Sequence, residues 1–456
     1  VGFVSPSVFE TVPYLGRAHY AQPQGLKELW FHTNNICNLA CRHCLVSSAP
    51  WVKDWGLPKE QLLELVEEAV ALGVERFYVT GGEPLMRADL FDLIRFITEK
   101  KRCELILLTN ATLLKGERRR GLTGLNREKV RFQVSVDGAS PETNDPIRGT
   151  GSFEATVEGL KLLTQLGFQT SLTTVVMTTN LEELPKLTEL AAQLQVPTQH
   201  LMWPHRRGRL AGMGSGSRGK RVSDPALGIP SVDQLIAEIA QVKEKAKALG
   251  VAVDNFESIK QRVNSRPGVK YDLGNACWDS LCIYSDGGVY PSAATADTRL
   301  LRLGSVGQGR SLKAIWEQAP VAEAFRSSSV ILKEHLREDP FRYLTGGGDL
   351  EHSFWFNLNG EGERDQISQA QLLKLLSGPD PYDALYRALA QDAIWEIARE
   401  KQARLNSHSG YDAPRIIHAM GEGAIHCATD DLAVSGPIDV RTLHSNCVLA
   451  FDVDKP

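Results

Sequence analysis

The chain has no stretch of about 18 apolar residues, so it offers no membrane-spanning helix. Its first residues, Val1-Gly2-Phe3-Val4-Ser5-Pro6, lack a basic region followed by an apolar core and do not read as a secretion signal. They also lack Met, which reads as a trimmed or processed start. No excess of one charge sign stands out. The net charge of −4 gives no global attraction to nucleic acid. Cysteine is sparse, with eight in 456 residues. In a large chain without a secretion signal these read as metal ligands or reduced thiols, and a reducing cytoplasm fits them. What remains is ordinary for a globular protein: 42% hydrophobic, 23% charged, and long enough for two or three domains.

Three of the cysteines crowd into Cys37-Asn38-Leu39-Ala40-Cys41-Arg42-His43-Cys44. Thiolates are the usual ligands of [4Fe–4S] clusters, and four are the norm. Three within one short segment and no fourth nearby leave one iron open to an outside ligand, as an active site needs. A zinc centre is the alternative. It wants four N or S ligands, typically in two pairs, and His43 is badly placed between Arg42 and Cys44 to close a tetrahedron. A second element follows one βα unit later, where Tyr78-Val79-Thr80-Gly81-Gly82-Glu83-Pro84 ends a strand. Paired glycines let a backbone approach a ligand with no Cβ in the way. Alone, that tetrapeptide would be a turn.

Cys-x3-Cys-x-aromatic-Cys is the signature of the radical S-adenosylmethionine (SAM) superfamily, and the chain resembles it through Cys37, Cys41 and Cys44. His43 stands where Phe or Tyr is usual. Gly81-Gly82-Glu83-Pro84 is similar to the second signature, whose backbone edge binds the SAM amino group. The resemblance implies catalytic cluster ligation by the three cysteines. It also implies SAM binding by Gly81, Gly82, Glu83, Pro84, Asn110, Ser135, Asp137, Arg148 and Asn180. Asn110 lies in Thr109-Asn110-Ala111, where the family has Thr-Asn-Gly. Ser135 and Asp137 would sit near the ribose and substrate, and Arg148 near the SAM carboxylate. Without the resemblance, Asn110 and Asp137-Gly138 read as turns, Arg148 as a surface ion pair and Asn180 as a helix N-cap.

Residues 28–205 alternate strand and helix patterns. Strands are expected at Glu28–Phe31, Arg76–Thr80, Glu104–Thr109, Val130–Val136, Leu172–Met177 and His200–Trp203. Helices are expected at Pro58–Leu72, around Leu90–Ile97, at 156–166, at 184–194 and at Val232–Leu249. Six βα repeats mean a parallel sheet. The stretch is shorter than a full eight-unit barrel. The fold class is therefore α/β: a partial (β/α)6 TIM-like barrel, with a flat doubly wound sheet as the alternative. His205–Pro230 reads as a Gly- and Ser-rich surface loop; the sharper reading is a lid whose Arg206, Arg207 or Arg209 grips an anion.

Cys277 to Pro291 reads as a hairpin and resembles the SPASM/twitch-like auxiliary-cluster module of the same superfamily, with Ser292 where a second Cys is usual. Cys277, Cys282, Cys427 and Cys447 are expected to hold an auxiliary [4Fe–4S] cluster, against the alternative of buried thiols. The domain reading is an N-terminal extension over 1–27, a barrel over 28–230, a helix plus an α+β SPASM/twitch-like module over 231–330, and a helical C-terminal extension over 331–456, a candidate source of cluster ligands. The Gly-rich segment Phe341–His352 lacks the Lys-Ser/Thr of a phosphate loop. Asp349, Glu351 or His352 could line a substrate cavity there, but a surface loop is preferred. Tyr382–Ala403 reads as a core helix.

The resemblance implies reductive cleavage of SAM to a 5′-deoxyadenosyl radical that abstracts hydrogen from substrate. The substrate would be a small molecule, a cofactor precursor or a peptide in a biosynthetic or maturation pathway. The 27 residues before the first strand are too few for a folded leader-binding domain, which tilts the expectation towards a small molecule, a cofactor precursor or a peptide bound without a leader. A low-potential donor such as flavodoxin or ferredoxin would supply electrons; no nucleic acid or membrane partner is expected. An iron–sulfur electron-transfer or cluster-carrier protein is the competing reading, but it leaves Gly81-Gly82-Glu83-Pro84 without a purpose.

Overall fold

The computed structural model describes residues 25–213, 227–264, 274–307, 310–358 and 367–408. One ten-stranded sheet organises them, in the order β10-β9-β8-β1-β2-β3-β4-β5-β6-β7. The strands are β1 Glu28–His32, β2 Arg76–Thr80, β3 Glu104–Thr109, β4 Val130–Ser135, β5 Gln169–Val175, β6 Thr198–Met202, β7 Ala252–Val253, β8 Ser280–Ile283, β9 Gly288–Tyr290 and β10 Gly304–Ser305. β1 to β7 are parallel and follow one another in chain order. A doubly wound sheet reverses its order at a switch point. β1 to β7 never do, so they wind one way as a barrel does; β8 joins on the far side of β1, and the sheet stays open between β7 and β10. The fold is the expected α/β partial TIM-like barrel.

The helices follow from apolar spacing. In Lys59–Ala71, Leu62, Leu65, Val66 and Ala69 are buried, an i, i+3, i+4, i+7 stripe. The stripe Leu90, Leu93, Ile94 and Ile97 is buried too, but its helix ends at Arg95 and runs on as a π-helical turn over Phe96–Lys100. Val232–Leu249 matches its expected bounds because both ends are coded. Ser231 and Gln234 form a capping box, and Gly250 takes the left-handed C-cap with φ of 70°. β5 begins three residues earlier than expected and stops at Val175.

Alternation sets the two faces of the sheet. Leu29 and Phe31 of β1, Phe77 and Val79 of β2, and Leu281 and Ile283 of β8 enter the main apolar core with the helices. Trp30, His32, Tyr78 and Cys282 therefore point to the inner, barrel-like face. There Trp30 and Tyr78 stack with centroids 4.1 Å apart. At the N-terminal rim an ion ladder runs Glu28, Arg76, Glu104, with both Arg76 contacts at 3.0 Å.

The expected hairpin exists, but β8 pairs in parallel with β1 and so extends the barrel sheet. Helices Leu312–Gln318 and Pro320–Ser327 follow it. Further on, the Gly-rich segment corrects the surface-loop expectation. Asp349 caps helix Leu350–Asn357, Asp380 accepts its N–H at 2.7 Å, and Glu351 and His352 are buried. Helix Asp383–His408 packs on helices Asp254–Asn264 and Val232–Leu249. Tyr382, just before it, donates to the Pro204 carbonyl at 2.9 Å. Among the described residues, no helix is long and apolar enough to cross a membrane.

Candidate active site

The cysteine loop leaves β1 at the carboxyl ends of the strands, where a barrel presents its ligands. Its entry is welded to Gly81-Gly82-Glu83-Pro84. Gly82 N–H donates to Asn34 O at 2.7 Å and Glu83 N–H to Ile36 O at 3.0 Å. The Asn34 amide donates to Ile36 O and Glu83 O. A Cβ on Gly81 would lie 2.5 Å from Asn34 O, and one on Gly82 would lie 2.2 Å from Ile36 O. The close approach these glycines permit is thus to the cysteine loop itself. Glu83 is buried; it accepts from Thr109 Oγ1 at 2.7 Å, Asn110 N–H at 2.8 Å and Leu85 N–H at 3.1 Å. Burial pushes its carboxyl up to about 6 against those hydrogen bonds. Pro84 opens the short helical turn that follows.

Within the loop, Cys44 N–H donates to Cys41 O at 3.2 Å and Leu39 N–H to Cys37 Sγ at 3.4 Å. Asn110 reaches the same place, donating to Asn38 Oδ1 at 3.0 Å, with Cys37 Sγ 4.0 Å from its amide nitrogen. Burial, then Glu83, pushes the Cys37 thiol up to about 12, and the Cys41 and Cys44 thiols add to the rise. Burial also raises Cys41, against the pull of Arg148. Sulfurs so placed become thiolates only with a bound cation, which an iron–sulfur cluster provides. The donor set therefore fits a three-thiolate cluster. Among the described residues, no three His, Cys, Asp or Glu side chains converge on a point suited to one metal ion. Thiols that bond three different irons stand further apart than ligands of one ion.

The far wall is a buried polar knot on β4 and the turn after it. Asp137 is fully buried. Its Oδ2 lies 2.6 Å from Arg148 Nε and 2.5 Å from His43 Nε2. Its Oδ1 accepts from Val175 N–H at 2.9 Å. Burial alone would raise this carboxyl, but Arg148 and then His43 outweigh it and hold it well below the usual carboxylate range. Asn180 donates to Asp137 O and Val175 O and accepts from Met177 N–H, so its amide is spent on backbone. The Arg148 guanidinium is buried and ion-paired to Asp137, and among the described residues it has no other hydrogen-bond partner. Ser135 sits half-buried on the inner face beside Thr173, whose buried hydroxyl has no partner among the described residues.

The structure thus brings together Cys37, Cys41, Cys44, Gly81, Gly82, Glu83, Pro84, Asn110, Asp137 and Arg148, with Ser135 and Asn180 on adjoining strand ends. Two groups escaped the sequence. The His43–Asp137 contact links residues 94 apart, and nothing local signals it. Thr173 is found only through the β4–β5 register.

In the described part of the lid candidate, Arg207 and Arg209 are taken by backbone carbonyls; residues 214–226 lie outside the described residues. Arg209 donates to Cys41 O, Ser47 O and Ser48 O and so clamps the cysteine loop from outside. Arg207 is buried and donates to Ala294 O at 2.8 Å. Gly208 lies between them at φ of 58°, with a Cβ position 2.2 Å from Cys44 O. Of the four cysteines expected to form the auxiliary ligand set, Cys277 and Cys282 are among the described residues. Cys277 belongs to the main core, whereas Cys282 sits in a separate cluster with Tyr284, Tyr290 and, near its edge, Cys44. Cys427 and Cys447 lie outside the described residues.

Fold and site together define an open parallel barrel that carries a three-cysteine cluster loop and a Gly-Gly-Glu-Pro brace. Residues 32–191 match the radical SAM superfamily, and the chain carries a radical SAM domain. It is 35% identical over 168 residues to an AdoMet-dependent heme synthase of Methanosarcina barkeri, covering 37% of this chain and 47% of that protein. It is 34% identical over 159 residues to the mycofactocin maturase MftC of Mycolicibacterium smegmatis, covering 34% and 39%. The chain thus aligns with less than half the length of these curated relatives. Among solved structures, it resembles native anSMEcpe with bound AdoMet at a TM-score of 0.63 and 17% identity, over 83% of this chain and 99% of that one. Streptococcus suis SuiB bound to S-adenosylmethionine gives a TM-score of 0.58 and 15% identity, over 78% and 80%. These structural likenesses extend the shared fold beyond the matched domain.

Proposed function

We propose that the chain is a radical SAM enzyme that abstracts hydrogen from a small molecule, a cofactor precursor or a peptide in a biosynthetic or maturation pathway. The observation that carries this is the weld between the cysteine loop and Gly81-Gly82-Glu83-Pro84. Cys37, Cys41 and Cys44 would hold a [4Fe–4S] cluster by three irons. Bound there, a cluster would supply the one-electron reduction by which the sulfonium C–S bond of SAM is cleaved.

The chain's own residues do the positioning. The free edge of the Arg148 guanidinium suits the SAM carboxylate, because its Nε is already taken by Asp137. Backbone around Gly81–Pro84 suits the SAM amino group, and Asn110 borders the same space. Ser135 and the unpartnered Thr173 hydroxyl suit ribose hydroxyls. The stacked Trp30 and Tyr78 fill part of the inner face with aromatic surface, which suits a site that limits water around a reactive radical. The names of the relatives, a heme synthase and a mycofactocin maturase, favour biosynthesis or maturation.

An auxiliary cluster on Cys277 and Cys282 has less support, because the two thiols lie in different apolar clusters. An acidic low-potential protein such as flavodoxin or ferredoxin remains the natural electron source, and the cytoplasm the natural compartment. The test is anaerobic reconstitution with iron and sulfide, then dithionite and SAM. 5′-Deoxyadenosine and methionine are expected, and none from Cys41→Ala. Wild-type protein that holds its cluster yet forms neither product would leave the electron-carrier reading in place.

A further inference from the structure

We infer that His43 is a positioning residue that sets the Arg148 guanidinium for the carboxylate of an aminoacyl sulfonium ligand. The inference rests on the SAM reading above and adds a residue to it.

His43 lies between two cluster cysteines, so its backbone moves with the cluster loop. Its ring is buried, and Nε2 lies 2.5 Å from Asp137 Oδ2. That same oxygen carries Arg148 Nε at 2.6 Å. One carboxylate oxygen therefore ties a residue of the cysteine loop to a buried guanidinium beside Cys37 and Cys41.

Everything else about Asp137 is fixed. Val175 N–H holds Oδ1, Asn144 Oδ1 accepts from its backbone N–H, and Asn180 binds its carbonyl. The knot is closed on the loop side by Arg42 N–H donating to Ile147 O at 2.9 Å, and Arg148 O stands 3.9 Å from Cys41 Sγ. Among the described residues, neither Nη atom of Arg148 has a hydrogen-bond partner. A buried guanidinium with Nε anchored and both Nη atoms free is set for a bidentate anion. Its orientation depends on where Asp137 Oδ2 is held. Phe in place of His43 would fill similar space but would leave Oδ2 with a single partner, free to swing with Arg148.

The test compares ligand binding rather than turnover. Wild type, His43→Phe and His43→Gln are reconstituted to equal iron content. Dissociation constants are measured anaerobically for SAM and for decarboxylated SAM. His43→Phe is expected to bind SAM about tenfold more weakly, the scale of one lost charge-assisted hydrogen bond. Its affinity for the decarboxylated ligand should equal wild type's. His43→Gln keeps a donor and should recover SAM affinity to within about threefold. Wild-type SAM affinity in His43→Phe, or equal losses for both ligands, would overturn the assignment. Where His43→Phe does not retain iron, His43→Gln decides alone: a tenfold loss for SAM sinks it. Wild type that binds neither ligand speaks against the SAM reading instead.

Discussion

At the scale of single residues, space and burial decide most. A methyl on Gly82 would sit against the Ile36 carbonyl, which is backbone and cannot step aside. Gly82→Ala should therefore cost about 2 kcal/mol in chemical denaturation of the metal-free protein, an overpacking penalty, and should lower iron uptake. Glu83 offers a pH test. Its carboxyl lies at about 6 in the fold against an ordinary 4.5. The folded chain holds this proton more tightly than the unfolded chain does. The resulting stabilisation is complete below pH 4.5 and is lost as pH rises through about 6, a swing of about 2 kcal/mol. Wild type should therefore lead Glu83→Gln by about 2 kcal/mol more at pH 4 than at pH 7. A pH-independent difference between the two unfolding curves would dismiss the burial argument.

At the scale of elements, Arg209 is the instructive case. It fastens three carbonyls of the cysteine loop from a segment that looked like a lid. Arg209→Ala should speed removal of iron by a chelator about tenfold while the unfolding midpoint of the metal-free protein barely moves. Strands β1 to β4 and the helices with apolar stripes could be read from the chain because period and caps are local signals. The expected bounds of Val232–Leu249 coincide with the capping box at Ser231 and the glycine at position 250. The three cysteines and Gly81-Gly82-Glu83-Pro84 were legible for the same reason. Contacts across the fold were not. Nothing near Arg209 says that its partners are Cys41, Ser47 and Ser48. Nothing near Asp137 says that His43 will face it. The parallel seat of β8 beside β1 joins Glu28 to Ser280, a pairing that alternation within either strand cannot reveal. The two-residue β7 is too short to carry a period at all.

At the scale of the whole molecule, metal content is the simplest measure. About four irons per chain are expected, one cluster's worth. Cys277→Ala and Cys282→Ala should each leave that count unchanged, since their thiols do not share a cluster of neighbours. A fall in either variant would restore the second metal centre. The seat of β8 has a consequence for synthesis. β1 bears the cysteine loop and is flanked by β2 on one side and by β8 on the other. A nascent chain therefore carries Glu28–Phe31 with one bare hydrogen-bonding edge until the hairpin has left the ribosome. Bare edges recruit other strands. A fragment cut at residue 264 should accordingly self-associate, and delivery of iron to the loop is best timed after translation of the hairpin, when its supporting strand is no longer adhesive.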